Sequence, residues 1–141
     1  MTSARPARKL AVLACMDVRL DPAALLSLEP GDAHVIRNAG GIVSDDAIRS
    51  LAISQHELGT EEIVVIQHTD CGLLKLDNDA FSAKLERHAG EQPAWHAHAF
   101  DDLDEHLRES VQHLRDSPFI LHKNVRGYVF EVESGQLREV S

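Results

Sequence analysis

Aromatic side chains are scarce: one Trp, one Tyr and four Phe in 141 residues, 4% in all. Any core must therefore be filled mainly by Leu, Ile, Val and Ala. Cysteine is almost as rare. Cys15 and Cys71 alone cannot build the disulfide framework of a small secreted domain, so a reducing cytoplasm is the expected location. Positive charge is in the minority, with 14 Lys and Arg against 23 Asp and Glu and a formal charge of −9. A nucleic-acid binder usually carries a basic face that displaces counterions from phosphate, and an anionic membrane surface calls for the same sign. Neither partner is expected. No apolar run approaches the ~20 residues needed to cross a bilayer. Repeats, low-complexity tracts and linkers are absent.

What remains is an ordinary globular composition, 43% apolar and 26% charged. The length suits one domain with one sizeable core. Residues 1–8 read as a flexible N-terminal arm and 9–141 as a single domain. Arg5, Arg8 and Lys9 before Leu10–Cys15 imitate a leader peptide. The apolar stretch ends before Asp17, however, and is short for a leader's ~7–15-residue apolar region. It reads better as a buried strand.

Lys9–Ala14 is a short apolar run, the mark of a strand buried on both faces. Asp21-Pro22 reads as an N-cap with Pro in the first helical turn, opening a helix to about Leu28. Ala33–Asn38 is a second strand. Ser44-Asp45-Asp46 caps a helix whose apolar positions include Ile48, Leu51, Ala52 and Leu58, with Gly59 as its stop. Glu62–Gln67 holds Ile-Val-Val-Ile, the strongest strand signal in the chain. Residues 78–89 and 102–116 read as helices; Leu103, Leu107, Val111 and Leu114 form one amphipathic face. Gly127–Glu133 and Gln136–Val140 read as strands joined across Ser134-Gly135. Strands alternating with helices predict an α/β fold: a mainly parallel central sheet, helices on both faces, and a short antiparallel C-terminal edge strand. Such sheets bind ligands beyond the carboxyl ends of their strands.

The two cysteines occupy equivalent places. Cys15 ends the first strand, and Cys71 follows the Ile-Val-Val-Ile strand with His68 between. Parallel, adjacent strands would bring all three side chains to one sheet edge. Two thiolates and an imidazole suit zinc, and His68-Thr69-Asp70-Cys71 offers two donors from one turn. No fourth cysteine or histidine stands at a motif spacing. Three protein ligands with an open position characterise a catalytic site. The bland alternative is a pair of buried thiols beside a core histidine.

Cys15-Met16-Asp17-Val18-Arg19 then adds a carboxylate and a guanidinium. In an extended segment these alternate residues share a face and point into one cavity. Arginine can hold a carboxylate bidentately, although an ordinary surface ion pair would use the same residues. Arg37-Asn38-Ala39-Gly40-Gly41 follows the second strand, and its paired glycines permit close backbone approach or positive φ. Asp70 could tune a metal through a hydrogen bond or simply cap a turn. His88, His96 and His98 read as exposed histidines near a loop, with Trp95 packed on the body or on a partner.

Cys15-Met16-Asp17-Val18-Arg19, Arg37-Asn38-Ala39-Gly40-Gly41 and His68-Thr69-Asp70-Cys71-Gly72, in this order, resemble the β-class carbonic anhydrases, most of all their compact bacterial and archaeal branch. The resemblance is densest from Lys9 to Leu74. It implies one Zn2+ per chain on Cys15, His68 and Cys71, with Asp17 and Arg19 as a catalytic dyad. It also implies that Asp17 can swing in as a fourth ligand in a closed state. The implied reaction is the reversible hydration of CO2 to bicarbonate and a proton, in a homodimer or higher homo-oligomer. The alternatives are a related class that uses the same scaffold and zinc hydroxide to hydrolyse carbonyl sulfide or carbon disulfide, and a non-catalytic zinc module, which would have no use for the dyad.

Overall fold

Residues 3–141 are described by a computed structural model; Met1 and Thr2, the start of the expected arm, lie outside the described residues. The rest of that segment runs along the body, where the N–H groups of Ala7 and Arg8 donate to the carbonyls of Gly31 and Asp32.

Among the described residues ten elements follow in chain order: β1 (Leu10–Cys15), α1 (Pro22–Leu25), β2 (Ala33–Asn38), α2 (Asp45–Leu58), β3 (Glu62–His68), α3 (Gly72–Lys75), α4 (Asn78–Ala89), α5 (Leu103–Asp116), β4 (Asn124–Glu131) and β5 (Gln136–Glu139). The strands form one sheet in the order β2-β1-β3-β4-β5. The pairs β1–β2, β1–β3 and β3–β4 are parallel, and β4–β5 is antiparallel at the edge. This is the α/β arrangement expected from the alternating pattern.

The period of two along each strand separates two apolar layers. Ala11, Leu13, Ile63 and Val65 face one side, where Ala47 and Leu51 of α2 and Leu107, Val111 and Leu114 of α5 cover them. Leu10, Val12, Val64 and Ile66 face the other side, under Leu20, Leu25 of α1 and Leu73 of α3. Both faces of β1 and β3 are thus dry, which explains their unbroken apolar runs. Helix α4 contributes no buried residue and lies outside these layers.

Several boundaries differ from the sequence expectation. Helix α1 ends at Leu25, and Ser27 adopts a left-handed φ of 53° that turns the chain instead of extending the helix to Leu28. Strand β4 begins three residues earlier, because Asn124 and Val125 pair with Glu62 and Ile63. The short α3 gave no periodic signal. Helices α2, α4 and α5 carry side-chain N-caps from Ser44, Asp77 and Asp102. Gly59 and Gly90, at φ 81° and 80°, end α2 and α4.

The order places β1 where successive connections depart in opposite directions, to β2 on one side and toward β3 on the other. At such a switch point the loops leaving neighbouring strands separate and open a crevice. Cys15 ends β1 and His68 ends β3 at this crevice.

Candidate metal centre and active site

A cavity of about 660 Å³ opens at the switch point, and Cys15, Asp17, Gly40, His68 and Cys71 help to line it. Cys15, His68 and Cys71 are all buried, and their ligand atoms lie within 4.8 Å of one another; they form the one such metal-capable group among the described residues. The sheet achieves this by pairing β1 directly with β3. Cys71 is carried in by a turn anchored at Thr69. There the N–H donates to the Phe130 carbonyl at 3.0 Å, and the hydroxyl accepts from the Val132 N–H at 3.0 Å.

His68 supplies a direct test of whether a cation fits. Its Nδ1 donates to the Thr69 carbonyl at 2.7 Å. That bond leaves Nε2 as a bare lone pair, and Nε2 is the single buried side-chain polar atom without a partner among the described residues. Such an atom is costly to bury unless something accepts the lone pair. A soft-to-borderline ion held with two cysteine sulfurs does so, and the donor set matches zinc.

The electrostatics also favour positive charge. The neighbouring Cys71 thiol holds the Cys15 thiol well below its ordinary value, against the opposing effect of burial. Cys71 is pushed up in turn, by the Cys15 sulfur and then by burial. Burial pulls His68 down. The nearby Cys15 sulfur, the Thr69 carbonyl and the negative charges of Cys15 and Asp17 outweigh it, so the imidazole rises above its ordinary value.

Asp17 and Arg19 meet, but not through the extended segment expected. The strand stops at Cys15. The Arg19 N–H donates to Asp17 Oδ1 at 2.8 Å and the Leu20 N–H to the Asp17 carbonyl at 3.1 Å, a tight Asx-type turn. The turn folds Arg19 back onto Asp17, with Nε to Oδ1 at 2.9 Å and Nη2 to Oδ2 at 2.7 Å. The guanidinium's hydrogen bonds hold the Asp17 carboxyl well below the usual carboxylate range. Asp17 Oδ2 stands 3.7 Å from His68 Nε2. An ionised acceptor is therefore held beside the cysteine–histidine group.

The Arg37–Gly41 segment does more than form a wall. Arg37 donates to the carbonyls of Cys15, Asp17 and Leu20 at 2.7 to 3.0 Å, clamping the whole turn. Asn38 clasps both the N–H and the carbonyl of Ile42. The Gly40 N–H donates to Cys15 Sγ at 3.3 Å. At Gly41, with φ 61°, a Cβ would stand 2.9 Å from both the Cys15 nitrogen and the Ile66 oxygen. The sequence marked this segment, but the clamp by Arg37 depends on β1–β2 pairing and left no local signal.

Trp95, His96 and His98 are exposed and line the mouth of the same cavity. The remaining walls include Ile42, Leu73, Leu76 and Phe81. His88 lies on α4 and does not line it.

Comparison with known proteins agrees with this geometry. A family model described as carbonic anhydrase matches residues 10–134. Beta-carbonic anhydrase 1 of Mycobacterium tuberculosis is 45% identical over 137 residues, covering 96% of this chain and 84% of that protein. A carbon disulfide hydrolase of Acidithiobacillus thiooxidans is 40% identical, covering 93% of this chain and 76% of its own length. The crystal structure of carbonic anhydrase from Streptococcus mutans superposes with a TM-score of 0.93 at 41% identity, covering all of this chain and 86% of the other. With its parallel sheet and its cysteine–histidine–cysteine crevice, the chain belongs to the β-carbonic anhydrase family.

Proposed function

We propose that the protein is a zinc enzyme that hydrates CO2 reversibly to bicarbonate and a proton, with one Zn2+ per chain on Cys15, His68 and Cys71. The family is one of lyases of the carbonate dehydratase type. The observation that carries the assignment is the unpartnered Nε2 of His68, buried between two thiols beside the Asp17–Arg19 pair.

Zinc held there supplies a Lewis acid that makes hydroxide available from water near neutral pH. The chain's own residues do the rest. Arg19 keeps Asp17 ionised and oriented. Asp17 Oδ2 would accept a hydrogen bond from a water in the crevice and so turn that oxygen's lone pair toward the carbon of CO2. The apolar walls suit a small uncharged substrate and limit the water that competes for the site. Gly40 and Arg37 hold the Cys15 turn so that the ligand and the dyad keep their relative positions. The same Asp17, freed from Arg19, would be the fourth ligand of a closed state.

Stopped-flow CO2 hydration beside sulfide release from carbonyl sulfide and carbon disulfide tests the substrate. Rapid CO2 turnover is expected. The carbon disulfide hydrolase relatives support a second reading on the same scaffold, and sulfide release with negligible CO2 turnover would establish it instead.

We assign the protein to a homodimer or higher homo-oligomer. The fully exposed Val18, 98% accessible beside the site, and the open edge of β2 are surfaces a second copy would cover. Two free cysteines fit a reducing, cytoplasmic location. Among the described residues no helix is long and apolar enough to cross a membrane.

A further inference from the structure

We propose that Asp70 is a positioning residue that fixes the plane of the Arg19 guanidinium, and through it the Asp17 carboxylate, from within the turn that carries His68 and Cys71. The inference rests on the proposed hydration reaction for its catalytic consequence, but not for its geometry.

Arg19 and Asp17 are two residues apart on an exposed turn. A bidentate pair so close in sequence fixes the two side chains to each other; Arg37 holds the backbone of their turn but touches neither the carboxylate nor the guanidinium. Asp70 supplies the external reference. Its Oδ2 accepts from Arg19 Nη1 at 3.0 Å, and its backbone carbonyl accepts from Arg19 Nη2 at 3.1 Å. A guanidinium has five N–H donors in a rigid planar fork. Two bonds to Asp17 and two to Asp70 engage it from two directions.

Asp70 is itself held. Lys75 Nζ donates to its other carboxylate oxygen at 2.7 Å. Its backbone lies in the left-handed region at φ 54°, which non-glycine residues enter rarely and Asp and Asn most readily. Strain of this kind persists where neighbouring structure over-determines it. Here Thr69 on one side is tied to β4 and Cys71 on the other is a proposed ligand. An exposed ion pair contributes little to stability. The use of this one is orientation: any shift of the ligand turn carries Arg19 with it, so dyad and ligands move as one body.

Asp70→Asn and Asp70→Gly in the full-length, zinc-loaded protein test the proposal. Asparagine keeps the size and tolerates the left-handed backbone while losing the charge. Glycine removes the side chain and relieves the strain, so it folds even where asparagine does not. The readouts are the Arg19 Nε–H signal by 1H–15N NMR, assigned through its loss in Arg19→Lys, together with kcat, KM and zinc content. Expected in both variants are at least about tenfold faster exchange of the Arg19 signal and a kcat lower by about tenfold, in line with the cost of small misplacements at a reacting centre. KM and zinc content stay unchanged. Asp46→Asn removes an exposed pair with Arg49 at 3.6 Å and leaves every readout in place.

An unmoved Arg19 signal would overturn the proposal. So would a moved signal with normal kcat, or a kcat loss that only follows zinc loss. A wild type without CO2 turnover, whose Arg19 signal still responds to both variants, would overturn the proposed reaction and support the hold of Asp70 on Arg19.

Discussion

Arg37 grips the carbonyl oxygen of Cys15 with two N–H groups, Nε at 3.0 Å and Nη2 at 2.7 Å. The same guanidinium reaches the Asp17 and Leu20 carbonyls. A residue next to the end of β2 thereby sets the shape of the turn that follows β1. Arg37→Met keeps much of the apolar stem and removes these donors. Leaving such carbonyls without a partner costs about 1–3 kcal/mol. The variant should melt earlier and bind zinc more weakly, which calorimetry and competition with a chelator would measure. Unchanged zinc affinity would mean that the clamp does not shape the site.

Gly41 is the tightest backbone approach beneath the site. Gly41→Ala combines a left-handed φ of 61° with two backbone contacts at 2.9 Å that no side-chain movement can relieve. Strained backbone alone costs on the order of 1–3 kcal/mol, and the contacts add to it. A lower unfolding midpoint is expected. Wild-type stability would contradict the packing described.

Asp17→Asn retains the shape of the dyad but removes the charge that Arg19 holds. The proposed role requires a loss of about 10²-fold or more in CO2 hydration, the lower range for a positioned acid–base group. Zinc content and the circular dichroism spectrum should remain those of the wild type. Full activity in this variant would remove Asp17 from the reaction.

His106 gives the fold a pH dependence. Its ring stacks on Phe100 with centroids 3.9 Å apart, and its Nδ1 donates to Gln67 Oε1 at 3.1 Å. Burial, and then the charge of His98, hold its pKa below the ordinary 6.5. The unfolded chain therefore takes up the proton at a higher pH than the folded one. Stability is full above 6.5 and is lost as pH falls below it toward the folded value. Urea midpoints at about pH 7.5 and about pH 5.5, either side of the ordinary histidine value, should drop less in His106→Gln than in wild type. Equal drops would show that His106 carries none of the effect.

Much of this molecule can be read from its sequence, for physical reasons that differ by element. Ile63–Ile66 announced a strand because both its faces are buried. Ser44 and Gly59 bounded α2 because capping chemistry is local. Cys15, His68 and Cys71 stood out because thiolates and imidazole at strand ends have few other uses. The turn joining Asp17 to Arg19 was misread as extended, since an Asx turn and a strand end can share the same residues. Arg37 on Cys15, Asp70 on Arg19 and Gln67 on His106 were illegible. Each pair is made by strand order or helix packing, and no spacing in the sequence records it.

The central claim is a zinc ion on Cys15, His68 and Cys71 that the reaction needs. It is tested most directly by measuring metal content and stopped-flow CO2 hydration on the same sample, before chelation, after chelation and after zinc is restored. The expected result is close to one zinc per chain, loss of activity with the metal, and recovery on its return. A zinc-free protein that still hydrates CO2 at the original rate would contradict it.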